Sequence, residues 1–225
     1  TYTISGIYQI TTECNTTYLD LKVNKCYVRF NLKAFLEGSY IGFRTMLPTL
    51  YGLGLSDDPT ATDTLTVNLW SSGNLSNSSP DYTASGILHT DGTMTLDFPE
   101  EASDNYYYIA LKHRNSIETW SASPVQLTDD GTYDFTDSPL KAYNDNTRPA
   151  MKRMASGSVH ALYSGDINQD GTIDGSDMNE VDNNTVLGVY GYYGSDVNGD
   201  GATDGLDMNI VDNNTGLGLY FARPY

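Results

Sequence analysis

Asp166-Ile167-Asn168-Gln169-Asp170-Gly171-Thr172-Ile173-Asp174-Gly175-Ser176-Asp177 returns thirty residues later as Asp196-Val197-Asn198-Gly199-Asp200-Gly201-Ala202-Thr203-Asp204-Gly205-Leu206-Asp207. Near-identical tails follow, Met178-Asn-Glu-Val-Asp-Asn-Asn-Thr185 and Met208-Asn-Ile-Val-Asp-Asn-Asn-Thr215, so this is an internal repeat. Oxygen-bearing side chains stand at positions 1, 3, 5, 9 and 12 of each twelve-residue unit, with glycine at position 6. A hard cation such as Ca²⁺ takes roughly 6–8 oxygens at about 2.3–2.6 Å, and a tight loop presents them in this order, with a backbone carbonyl at position 7. The ligand set expected here is Asp166, Asn168, Asp170, the Thr172 carbonyl, Asp174 and Asp177. The second set is Asp196, Asn198, Asp200, the Ala202 carbonyl, Asp204 and Asp207. Gly171 and Gly201 fall where the loop needs positive φ. Ile173 and Thr203, at position 8, are expected to pair the two loops through a short strand.

Eight aspartates within two such loops repel one another unless a cation offsets them. Two bound Ca²⁺ are therefore expected, with metal binding coupled to folding. Magnesium, which prefers a strict octahedron and keeps its waters, fits poorly.

Position 12 is Asp rather than the Glu of helix-loop-helix sensors. Only the segment after each loop has helical spacing, Met178/Val181 and Met208/Val211. In these respects residues 164–218 resemble a type I dockerin, the duplicated calcium-loop–helix module of bacterial extracellular complexes. The resemblance implies two calcium sites and a cohesin-like protein partner.

Before residue 164 the chain reads as β. Apolar and polar residues alternate through Tyr2–Ile10, Tyr27–Phe35 and Thr64–Trp70. Ile87–Phe98 reads as a hairpin turning at Asp91-Gly92. Tyr106–His113 is a long strand, and Val125–Thr128, Tyr133–Phe135 and Val159–Tyr163 are shorter ones. Residues 71–80 and 141–158 are rich in turn formers. These signals predict a mainly β chain: an antiparallel β-sandwich, jelly-roll or Ig-like, over 1–163, then a small dockerin-like module over 164–225. Phe35–Tyr40 and Tyr106–Ala122 also resemble the β-region that precedes dockerin-like tails in large secreted proteins of bacterial surfaces. That resemblance implies no catalytic chemistry.

The chain of 225 residues carries 29 acidic against 12 basic residues, a formal charge of −17. That balance argues against nucleic acid and against an anionic membrane surface. No run of 18 apolar residues marks a membrane span. The chain opens in strand-like residues with no leader, the pattern of a processed N-terminus. Cys14 and Cys26 are spaced to bridge adjacent strands in an oxidising compartment, a closure worth about 3 kcal/mol; the alternative is two reduced core thiols.

Catalytic patterns are missing: no Gly-x-Ser-x-Gly, no His-Glu-x-x-His and no phosphate-cradling loop. His89, His113 and His160 read as exposed strand histidines, and Glu100-Glu101 as a solvated loop. Trp70, Trp120, Tyr106–Tyr108 and Tyr190–Tyr193 are candidates for a sugar platform, against core and edge packing. Asn15, Asn74 and Asn77 begin Asn-x-Ser/Thr sequons, as do Asn183 and Asn213, and Asp63-Thr64-Leu65 matches an Asp-Thr-apolar O-glycosylation pattern. Both ends carry segments able to add to a neighbour's sheet edge: the N-terminal strand, and Leu217–Tyr225. The expected function is non-enzymatic: a secreted, calcium-stabilised structural or adhesive protein of a bacterial surface, assembling with copies of itself into fibres. A glycan-binding module and a tether to a cohesin-like protein are the alternatives.

Overall fold

The computed structural model describes residues 6–12, 15–21, 26–155 and 158–225, with side chains from residue 26 onward. Strands β1 (Gly6–Thr12) and β2 (Asn15–Leu21) form an antiparallel ribbon that pairs with no other strand among the described residues. Cys14 lies outside the described residues, and so therefore does the expected Cys14–Cys26 pairing; the Asn15 side chain lies outside them too.

The body is mainly β, two sheets packed face to face. One contains β3 (Tyr27–Lys33), β8 (Thr93–Pro99) and β12 (Gly131–Asp134) in the order β12-β3-β8. The other runs β10 (Ser116–Trp120), β9 (Tyr106–His113), β6 (Ala61–Trp70), β7 (Tyr82–His89), with β11 (Val125–Gln126) also on β9. Pairing is antiparallel except for β12, which lies parallel to β3. Short strands β4 (Tyr40–Gly42) and β5 (Thr45–Met46), a one-turn helix α1 (Thr49–Gly52), and the pair β13 (Lys152–Arg153) and β14 (His160–Ala161) complete this part.

Period-two alternation builds the core. Val28, Phe30 and Leu32 face inward from β3, opposite Phe98, Leu96 and Met94 of β8. Leu65, Val67 and Leu69 of β6, with Ile109 and Leu111 of β9, close on them from the other sheet. Each fully buried side chain of this size contributes roughly 1.5–3 kcal/mol. The outer face of β6 is covered at its C-terminal end, where Trp70 packs on Trp120 with ring centroids 5.6 Å apart. Neither tryptophan is an exposed sugar platform, since they are 6 % and 1 % exposed.

One expectation is corrected. Ile87–Phe98 is not a paired hairpin: β7 pairs with β6 and β8 pairs with β3, so Asp91-Gly92 carries the chain from one sheet to the other. Gly92 takes φ +83, and a Cβ there would stand 2.7 Å from the Ala34 carbonyl oxygen.

Helices α2 (Gly175–Leu187) and α3 (Gly205–Thr215) follow. With Ile167, Ile173, Val197 and Leu219 they bury a second apolar cluster, to which the sandwich contributes Ile117 and Tyr163. No helix among the described residues is long and apolar enough to cross a membrane.

Candidate metal centre

The repeated sequence folds twice in the same way. Asn168 Oδ1 accepts from the Asp170 N–H at 2.9 Å, Asp170 Oδ1 from Thr172 at 3.0 Å, and Asp174 Oδ1 from Ser176 at 2.7 Å. The second loop repeats this: Asn198 with Asp200 at 2.8 Å, Asp200 with Ala202 at 2.9 Å, Asp204 with Leu206 at 2.7 Å. Each short side chain thus ties down the backbone two residues on, a local preference of Asn and Asp. Gly171 and Gly201 supply the positive φ of +90° and +92°.

Asp177 and Asp207 close the loops from the helices. Oδ1 of Asp177 accepts from Ile167 and Asn168 at 2.7 and 3.1 Å, and Oδ2 from Asp174 at 3.0 Å. Asp207 does the same to Val197, Asn198 and Asp204 at 2.7, 2.9 and 2.9 Å. Asp174 and Asp204 are also helix N-caps, in reciprocal capping boxes with Asp177 and Asp207. The residue that closes each loop therefore also completes the cap of the helix that follows.

The two loops do not pair with each other, which corrects the role expected of Ile173 and Thr203. The Ile173 N–H donates to the Leu219 carbonyl at 3.1 Å, and that of Thr203 to Val189 at 3.1 Å. Each loop is instead clasped by the segment after the other loop's helix: residues beyond α3 hold the first loop and residues beyond α2 hold the second, so the two halves of the repeat embrace reciprocally. Thr172 bridges Tyr220, and Ala202 bridges Tyr190.

Asp166, Asp177, Asp196 and Asp207 are all no more than 3 % exposed. No Lys or Arg side chain forms an ion pair with any of them among the described residues. Burial pushes Asp166 up to about 7, aided by the charges of Asp177 and Asp170. Burial also pushes Asp196 up to about 6, against the pull of Arg114, and raises Asp207. Among the described residues no group of three or more His, Cys, Asp or Glu side chains is placed to hold a metal ion; the carboxylates rest on backbone amides. Buried carboxylates without a counter-charge cost several kcal/mol each. An all-oxygen donor set of this kind suits Ca²⁺.

Behind the second loop the sandwich supplies a buried anion. Asp63 is fully buried on β6. Its Oδ2 accepts from Arg114 Nε at 3.1 Å, and its Oδ1 from the Thr64 N–H at 2.7 Å and from the Tyr192 hydroxyl. His113 Nε2 stands 3.1 Å from Oδ2 but is not aligned for a hydrogen bond. Arg114 also lies 4.6 Å over the Tyr192 ring. Burial works to raise the Asp63 pKa, but His113, Arg114 and Tyr192 together hold it below the usual carboxylate range. A depressed pKa stabilises the fold above the unfolded value of about 3.9 and loses that contribution as pH falls toward the folded value. Asp63→Asn is expected to cost about 3 kcal/mol at pH 7, the low end for removing one partner of a buried pair, because the Arg114 side chain is 16 % exposed. Urea unfolding of the variant should also show a shallower loss of stability below about pH 4 than the native chain. Equal stability of the two proteins at pH 7 would contradict this placement.

His113 and His160 are buried, not exposed as their strand positions suggested. His113 Nδ1 lies 2.9 Å from Ser116 Oγ, but Ser116 is 1 % exposed, so this Ser–His–Asp line offers no face to a substrate. His89 is half-exposed beside Thr60 and Asp58, and Glu100 and Glu101 are exposed. Of the Tyr190–Tyr193 cluster, Tyr192 packs onto the sandwich while Tyr190 and Tyr193 stay exposed. Thr64 is exposed on β6, and Asn74 and Asn77 lie in the 71–80 surface loop. The C-terminal segment docks on its own chain: Leu219 is buried, and the Phe221 N–H donates to the Gly171 carbonyl at 2.8 Å.

No family model matches this chain, and neither does any curated protein. Among solved structures it is similar to chains in two crystal structures of the type II cohesin–X–dockerin complex from Acetivibrio cellulolyticus, an N-terminal and a C-terminal interface mutant. Both show 16 % identity and a TM-score of 0.48, over 83 % of this chain and 94 % of the other.

Proposed function

We propose that this chain is a non-enzymatic, extracellular structural or adhesive subunit of a bacterial surface. In this reading residues 1–163 form the working β-sandwich. Residues 164–225 form a dockerin-like module closed by two Ca²⁺, which acts as a rigid connector. Asp166, Asn168, Asp170, Asp174 and Asp177 with the Thr172 carbonyl hold one ion. Asp196, Asn198, Asp200, Asp204 and Asp207 with the Ala202 carbonyl hold the other. Bound calcium would neutralise the buried carboxylates; the chain's own capping boxes and glycines hold the loop backbone in shape.

The observation that carries this reading is the pair of loops wound alike around four buried aspartates that form no ion pair with Lys or Arg among the described residues. The docking of the module supports a connector over a sensor. A sensor opens a helix pair to expose a groove, whereas here Val181 and Val211 are buried in one cluster with Ile117 and Tyr163 of the sandwich. The burial of Trp70 and Trp120 weakens the glycan-binding alternative. Exposure of Thr64 and Asn77 is compatible with surface glycosylation there.

Self-association by strand addition is the proposed mode of assembly. Among the described residues the β1–β2 ribbon pairs with neither sheet, and β7 and β8 each have one hydrogen-bonded neighbour strand. An unpaired edge is a template for an incoming strand. Such contacts run head to tail and do not close, so they build filaments. Concentrated protein should form filaments in calcium by electron microscopy and lose them in EGTA. A chain that stays monomeric at high concentration with calcium present would refute the assembly.

A further inference from the structure

The two calcium loops are held unequally. The first is gripped by the C-terminal segment, through Ile173 to Leu219 and Phe221 to Gly171. The second is gripped in the matching way by residues 189–191, where Thr203 donates to Val189 and Gly191 to Gly201. To this the sandwich adds its own donors. Arg114 Nη1 and Asn115 Nδ2 donate to the Asp196 carbonyl at 3.0 and 3.1 Å. Asn115 Nδ2 reaches the Gly194 carbonyl at 3.0 Å, and Arg114 Nη1 the Tyr193 carbonyl. Thr49 Oγ1 donates to the Gly199 carbonyl at 2.8 Å. Loop positions 1 and 4 are thus fixed from outside.

The repeat itself records the difference. Position 4 is Gln169 in the first loop, exposed and at φ +59. In the second it is Gly199, buried, where a Cβ would stand 2.3 Å from Thr49 Oγ1. Glycine at 199 permits the approach of Thr49.

We propose that Thr49, Arg114 and Asn115 are positioning residues for the second calcium loop, which they hold in binding shape before the ion arrives, so that this loop fills first. The proposal rests on the calcium reading above. A loop already ordered spends less of its binding energy on ordering than one that folds around its ion. The charge of Arg114 opposes an incoming cation, but Asp63 at 3.1 Å offsets it.

The test is hydrogen exchange of the full chain read by mass spectrometry at stepped free calcium. Amides of 197–207 should reach half-protection at a free calcium about tenfold or more below that for 167–177. Asn115→Ala, and independently Thr49→Val, should raise the midpoint of the second loop severalfold and leave the first unmoved. A common midpoint, the reverse order, or variants that shift both loops alike would overturn the proposal while leaving the calcium reading in place. Indifference of both loops to calcium would overturn the two together.

Discussion

Withdrawing calcium is expected to lower the melting temperature of this protein by about 10–20 °C. Each site held at a hundred times its Kd adds about 2.7 kcal/mol, so two sites add about 5 kcal/mol. One kcal/mol moves the midpoint of a chain this size by about 2–4 °C. The effect originates at Asp166, Asp177, Asp196 and Asp207, which are buried and form no Lys or Arg ion pair among the described residues. Without the ion their buried charge has no counter-ion, and relieving it loosens the cluster built on Ile173, Val181, Val197 and Val211. Differential scanning calorimetry in calcium, in EGTA and in EGTA with excess magnesium checks this. Magnesium should restore little of the loss.

Gly38→Ala is expected to cost about 3 kcal/mol or more and to separate the helical module from the sandwich. A Cβ at Gly38 would stand 1.9 Å from the Val197 carbonyl oxygen, a backbone atom of the second loop. No side-chain rotation relieves that contact; the loop or the Glu37–Tyr40 turn must move. Movement breaks the bond from the Gly38 N–H to Ser164 Oγ at 3.1 Å, and strains Asn214, whose Nδ2 donates to Glu37 Oε2 and to the Ser164 carbonyl at 2.7 Å each. Two melting transitions should replace one. Gly73→Ala is the control: a Cβ there meets nothing within 4 Å, and it should change stability by less than about 0.5 kcal/mol. If Gly38→Ala melts like the native chain, the docking described here is wrong.

The parts legible in the sequence are those whose physics is local. The two repeated loops and the helices after them follow from spacing and capping within a dozen residues; their metal content is a proposal. The alternating strands β3, β6, β8 and β9 follow from period two. The sheet-to-sheet crossing at Asp91-Gly92 was not legible, because an Asp-Gly turn is the same locally whether or not its flanking strands pair. Clasping of the loops by Val189 and Leu219 was missed because an apolar residue at position 8 calls for a strand partner without naming it. The cluster of Asp63, Arg114 and Tyr192 joins residues far apart in the chain. It did leave one trace: Asp63 shares parity with Leu65, Val67 and Leu69, and so falls on the inward face of β6 beside a bulge. A carboxylate at such a position calls for a partner. The Asp63-Thr64-Leu65 pattern drew attention to Thr64 instead, which faces solvent.

The dependence of the whole module on divalent ions is tested most directly by native mass spectrometry of the chain after equilibration with calcium. Two Ca²⁺ per chain are expected, falling to one in Asp207→Ala. A chain that carries no metal from millimolar calcium, with an unaltered charge-state distribution in EGTA, would contradict the account.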